Sequence, residues 1–137
     1  MNEQDISVLI YKMSSAIVTY INHELNAYHL TFQQFSILRY ISQQDDEVIG
    51  KDICQFLGVS HPTAVGLTSR MVRNNLLIAS ISSNDRRQTA FCLSQYGQEI
   101  LTQTQSLIDQ VETQIADGLG ENSETFKQCL LSLEEIF

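Results

Sequence analysis

The sequence predicts a mainly α-helical domain carrying one small β-hairpin, and three observations predict it. Apolar residues recur at three- and four-residue spacing over most of the chain, the pattern of helices that bury one face. Strict alternation is confined to Thr89, Phe91 and Leu93, just beyond a polar stretch at Ser82–Asp85. The chain has 137 residues, 43% hydrophobic and 18% charged, with a single proline. Those values suit one globular domain with a real core and exclude a disordered segment.

Taken in order, Ile6, Leu9, Ile10, Met13, Ile17, Ile21 and Leu25 form one apolar helical stripe, ended by Asn26–His29. Thr31 stands three residues before Gln34, the spacing of a capping box, and starts a second helix reaching about Gln43. Its expected buried face is Phe32, Phe35, Leu38 and Ile41. An acidic turn, Gln44–Glu47, precedes Val48-Ile49, too short for more than a stub of strand. Lys51–Leu57 makes about two helical turns stopped by Gly58, a residue at ease in the left-handed conformation. Ser60 is an N-cap, and Pro62 lies in the first turn of the following helix, where its missing N–H costs nothing. That helix runs to about Asn74, with Asn75 as its left-handed terminator.

A first hairpin strand is expected over Leu76–Ile81 and a second over Arg86–Leu93. Ser94 caps a long helix through about Leu119, striped by Ile100, Leu101, Leu107, Ile108, Val111 and Ile115 and broken by Gly118 and Gly120. A last helix carries Phe126, Leu130, Leu133 and Ile136.

A short helix, a glycine turn, a capped second helix and then a hairpin compose a helix-turn-helix followed by a wing. The tight turn lets the second helix project into a DNA major groove, N-terminal residues first. Those residues are Ser60, His61, Thr63, Ala64, Gly66, Leu67, Thr68 and Arg70, with Arg73 one turn beyond. Hydroxyls and small side chains permit close approach, free N–H groups in the first turn can hold a phosphate, and Arg70 can reach guanine or phosphate. Asp85, Arg86 and Arg87 place two arginines at the hairpin tip beside an acid that can steady one of them. A minor groove attracts guanidinium groups by its negative potential. The plainer readings are a helix pair of the kind common in helical proteins, and a solvated turn with a surface ion pair.

The formal net charge is −8. From Val48 to Ile100, however, Lys51, Arg70, Arg73, Arg86 and Arg87 outnumber Asp52, Asp85 and Glu99, a net +2, while the remainder nets −10. A mildly basic centre permits DNA binding, because the local field at the contact surface counts for more than the total. Met1–Asp5 lacks a basic, then apolar, leader pattern, and no stretch approaches the roughly 18 apolar residues of a membrane span, so a cytoplasmic protein is expected.

Cys54, Cys92 and Cys129 are odd in number and far apart, which suits neither a disulfide framework nor a zinc site; Cys54 and Cys129 read as core. His23, Glu24 and His29 read as surface residues, so no metal or cofactor is expected. Nor is enzymatic activity, for the chain has no phosphate-cradling glycine loop, nucleophile elbow, zinc-protease pair or Ser/His/Asp set.

At this level of detail the chain resembles the MarR family of bacterial transcriptional regulators over essentially its whole length. Leu30-Thr31 with Phe35 and Leu38 is similar to the opening of the second helix, Ile53–Ser60 to the first helix and turn, and Thr63–Val72 to the recognition helix. Asn75-Leu76-Leu77 resembles the Gly-Leu-Ile exit, Asp85-Arg86-Arg87 the wing signature, and Leu93–Gly97 the Leu-Thr-x-x-Gly entry to the long helix. The resemblance implies a homodimer on a palindromic operator. Residues of about 1–28 and 95–137 would interlock two copies, and a winged helix-turn-helix lobe of about 31–94 would meet double-stranded DNA. Recognition would fall to about 61–74 and the wing to about 78–93, with Arg87 in contact and Asp85 keeping the wing rigid.

Three departures are Ala79-Ser80, where the family often has basic residues, Asn75 in place of glycine, and a short wing. Fewer cations mean fewer phosphate contacts and a shallower salt dependence. The alternative is a protein of the same fold that serves as an adaptor or antirepressor and meets a protein partner through its acidic surface. Many relatives are released from DNA by small aromatic acids bound where dimerisation helices meet the lobe. Tyr11, Tyr20, Tyr28, Arg39 and Tyr40 are the candidates to line such a phenolic effector site, against the plainer reading of structural tyrosines. Some relatives sense oxidants through a cysteine in the first helix, and this first helix has none.

Overall fold

The computed structural model describes residues 2–137, which fall into two compact units divided after Thr104. The first unit begins with α1 (Ile6–Leu25), a 3-10 turn at 26–28 and α2 (Phe32–Gln43). His29 takes the left-handed conformation between them (φ 55°). The capping box at the head of α2 is complete: Gln34 N donates to Thr31 Oγ1 at 3.2 Å, and Thr31 N donates to Gln34 Oε1 at 3.1 Å. Phe35, Leu38 and Ile41 are buried as the spacing predicts and Ile37 joins them, whereas Phe32 is only half-buried.

The stub Val48–Ile49 is a real strand, β1, because its partner is distant in sequence. It pairs antiparallel with β3 (Thr89–Leu93), Val48 opposite Phe91 and Ile49 opposite Ala90, and β3 pairs with β2 (Leu77–Ile81). The sheet order is β1-β3-β2. The second hairpin strand therefore begins at Thr89 rather than at Arg86. Gln88 N donates to the Asp85 carbonyl at 2.9 Å, which closes Asp85–Gln88 as a turn and removes both arginines from the strand.

Two helices fill the interval between β1 and β2. In α3 (Gly50–Leu57), Asp52 caps backwards, its carboxylate accepting from Ile49 N at 3.0 Å, and Gly58 ends the helix at φ 66°. In α4 (His61–Arg73), Ser60 Oγ accepts from Thr63 N, Pro62 occupies the first turn, and Asn75 supplies the left-handed exit at φ 61°. Ile53 and Met71 are fully buried, as are Leu25, Leu38 and Leu77.

The long helix α5 (Gln95–Leu119) starts as expected, with Ser94 Oγ accepting from Gly97 N at 2.9 Å and donating to the Asn75 carbonyl. The unit boundary falls within α5. In the second unit Ile108 and Val111 are buried. Gly118 does not break the helix; the chain turns at Gly120 (φ 60°), in a 3-10 turn at 120–122, before α6 (Ser123–Glu134). No residue of α6 is buried. Cys129 is accordingly exposed and Cys54 half-buried, so neither is the core residue that its apolar neighbours suggest.

Gly97 is required for a reason other than turn geometry: a Cβ there would overlap the carbonyl of Leu76. Since that carbonyl also accepts from Ser94 N at 3.1 Å, it is not free to retreat. Gly97→Ala is therefore expected to destabilise the chain by about 1–3 kcal/mol, the usual cost of overpacking. Urea unfolding checks this, and an unchanged midpoint would contradict the close approach.

Candidate nucleic-acid interface

The two faces of α4 have opposite fates. Ala64, Leu67, Thr68 and Met71 are buried, a stripe with spacings of three, one and three that anchors the helix, and Thr68 returns its hydroxyl to the Ala64 carbonyl at 2.9 Å. Ala64, Leu67 and Thr68 are thus buried where exposed groove contacts are expected, although Ala64 and Thr68 also line the cleft beside the open face. Gly66 is half-buried, while Ser60, His61, Thr63, Arg70 and Arg73 are exposed as expected.

The open face also includes Val65, Ser69 and Val72, which reading the front of the helix as one block overlooks. With His61 they recur every four, four and three residues, so helical period alone could have separated the presented face from the buried one.

A cleft of about 460 Å³ lies beside this face. His61, Val65, Ser69 and Val72 of α4 line one part of it, and Ala79 of β2, Arg87, Gln88 and Thr89 line another. Helix and wing thus flank one concavity in the first unit. At the head of α4, Ser60 Oγ lies 2.9 Å from Thr63 Oγ1, and His61 Nδ1 lies 3.9 Å from Cys54 Sγ across the turn from α3.

The wing tip is organised by its acid. The Asp85 carboxylate accepts from Arg87 N at 3.0 Å, from Arg87 Nε at 3.2 Å and from Arg87 Nη2 at 3.4 Å. The Arg87 backbone N–H first, and its guanidinium second, hold the Asp85 carboxyl below its ordinary value. The Arg87 side chain nevertheless remains 90% exposed. An ion pair so open to water adds little stability. What it supplies is a direction for an arginine that would otherwise sample many rotamers. Arg86, next to it, is also exposed.

The effector candidates are placed differently. Tyr11 and Tyr20 are exposed on α1, and Tyr28 and Arg39 are half-buried. Tyr40 stacks on Phe56 with ring centroids 4.4 Å apart. None of the five lines the cleft beside α4. Among the described residues no helix is long and apolar enough to cross a membrane, and no cluster of three or more His, Cys, Asp or Glu is arranged to hold a metal.

Residues 28–88, the segment that contains the helix-turn-helix with β2 and the tip of the wing, match the model of the MarR family. The chain is 23% identical over 130 residues to the homoprotocatechuate degradative operon repressor of Escherichia coli, covering 95% of this chain and 86% of that one. Among solved structures, S. aureus MepR in complex with DNA has a TM-score of 0.90 at 22% identity, covering 97% of this chain and 98% of that one. BpsR of Bordetella bronchiseptica, whose DNA binding is regulated by 6-hydroxynicotinic acid, has a TM-score of 0.85 at 18% identity, covering 98% and 96%. Element order and wing agree with the family match: residues 28–88 are similar to the MarR family, and the fold is that of the solved MepR and BpsR structures.

Proposed function

We propose that the chain is a DNA-binding regulator of transcription that acts as a homodimer. Each copy sets the front of α4 in the major groove of one half of a palindromic operator and the Arg86–Arg87 turn in the neighbouring minor groove. The observation that carries this reading is the common concavity flanked by the exposed face of α4 and an arginine oriented by its own acid. Ser60, His61, Thr63, Arg70 and Arg73 would make the α4 contacts, and Arg86 and Arg87 those of the wing. Hydroxyl and N–H donors at the head of α4 suit phosphates, and a guanidinium held at a hairpin tip suits a narrow, electronegative groove.

Support for the dimer comes from apolar side chains that a lone chain leaves in water. On α1, Ile6 is 74% exposed and Met13 56%, with Leu9 and Ile10 also open. On α6, Phe126, Leu130, Leu131 and Leu133 are all exposed. Exposed apolar surface on each of these helices marks an interaction site, and a second copy is the commonest occupant. The E. coli relative is a repressor, and repression is the outcome proposed here. Release by a small aromatic effector is proposed by analogy with BpsR and with CouR of Rhodococcus jostii, solved with p-coumaroyl-CoA. Occupancy of DNA by α4 is the activity proposed; no catalytic role is assigned to any residue.

Two outcomes check the reading. In a gel shift with DNA from upstream of its own gene, the protein is expected to protect half-sites centred about 10 bp apart. Arg87→Ala should weaken that complex about tenfold and leave the unfolding midpoint where it was, because the side chain is exposed. Absence of any shift at low salt would favour the adaptor alternative. Second, Leu130→Glu should lower the mass in sedimentation to that of one chain and abolish the shift, since a charge there is tolerated by the monomer but not by a buried interface. A variant that stays dimeric would remove α6 from the interface.

A further inference from the structure

Glu47 lies in the acidic turn between α2 and β1, outside the wing in sequence, yet both of its carboxylate oxygens are engaged by the wing's first turn. Ser82 Oγ donates to Oε2 at 2.6 Å; Ser83 N donates to Oε1 at 3.0 Å and Ser83 Oγ to the same oxygen at 3.4 Å. The Ser82 hydroxyl foremost, then the Ser83 N–H, hold the Glu47 carboxyl below its ordinary value.

The Ser82 hydroxyl has one proton to give. Donated to Glu47, it leaves the oxygen free to accept, and the oxygen accepts from Asn84 N at 3.2 Å and Asp85 N at 3.4 Å. Those two bonds shape the backbone that presents the Asp85 carboxylate to Arg87. A hydrogen-bonded sequence thus runs from Glu47 through Ser82 to Asp85 and ends on the guanidinium. Ser82 is buried, unlike its neighbours in the turn, as expected of the link that everything else passes through.

We infer that Glu47 is a positioning residue for DNA recognition: by fixing Ser82 and Ser83 it sets the turn from which Asp85 aims Arg87. This rests on the DNA-binding reading and adds a determinant from outside the wing.

The inference predicts a sign opposite to that of simple electrostatics. An acid near a phosphate backbone repels it, so deleting a bystander Glu47 would tighten DNA binding. Deleting a positioning Glu47 weakens it. The test uses the full chain at constant salt with the shifted upstream DNA fragment. Glu47→Ala is expected to weaken binding about fivefold, the effect of one hydrogen bond of ordinary worth, and Ser82→Ala is expected to act in the same direction. In an Arg87→Ala background Glu47→Ala should have no further effect, because its influence passes through that side chain. Unchanged or tighter binding by Glu47→Ala overturns the inference, as does the same loss with Arg87 absent.

Amide hydrogen exchange on the free protein separates this from the DNA-binding reading. Glu47→Ala should speed exchange at Ser83, Asn84 and Arg87 whether or not any duplex is bound. Unchanged exchange at all three overturns the positioning role, whereas a wild-type chain that shifts no DNA overturns the DNA-binding reading alone.

Discussion

A helix of α4's length is marginal by itself in water, and its direction comes from what its lower face buries. Ala64, Leu67, Thr68 and Met71 provide that face, with Met71 wholly enclosed. Once they are buried, helical geometry leaves His61, Val65, Ser69 and Val72 facing out. The presented surface is thus a consequence of core packing. At the head of the helix Ser60 takes the N–H groups of Thr63 and Ala64 and Pro62 has none, so the donors left there are the His61 N–H and the hydroxyls of Ser60 and Thr63.

The wing depends on the same economy of local bonds. A two-stranded hairpin in water is at best marginal, and the third strand that steadies it is only two residues long. β1 nevertheless pairs with β3, the central strand, and the turn just before β1 supplies Glu47 to the far end of β2. The region between α2 and α3 therefore acts on the hairpin twice, through backbone pairing and through a carboxylate. A lowered carboxyl pKa is a stabilising contribution present above the group's ordinary value and lost as pH falls through the folded one. For Glu47 and Asp85 alike this places any loss of wing order in acid, well below neutrality.

Most of the fold was legible from local rules. Thr31 with Gln34, Gly58, Ser60 with Pro62, Asn75 and Ser94 each announce a helix boundary through chemistry that acts within four residues, and each stands where expected. What was not legible depends on partners remote in sequence. Val48-Ile49 is a strand only because Phe91 and Ala90 lie opposite, and Glu47 reads as one acid in an acidic turn until Ser82 is beside it. The length of the second hairpin strand was overstated because apolar alternation cannot show that Asp85 and Gln88 close a turn. At the wing tip, the pairing of Arg87 with Asp85 is legible from residue type and spacing. Ala64, Leu67 and Thr68 read as contacts when the front of the helix is treated as one block, whereas their three- and four-residue spacing marks a buried stripe. Cys129 is exposed although Leu130 beside it suggests core, because an apolar neighbour says nothing about whether the helix face is covered.

In the proposed dimer the exposed apolar residues of α1 and of α6 would join two copies, for one lobe alone would read only half a palindrome. The measurement that bears most directly on this is the mass and groove protection of the complex with a single operator duplex, by light scattering and hydroxyl-radical footprinting on the same sample. Two chains of 15.5 kDa per duplex, protecting two segments one helical turn apart, is the result expected. One chain per duplex, or no complex at low salt, would contradict it.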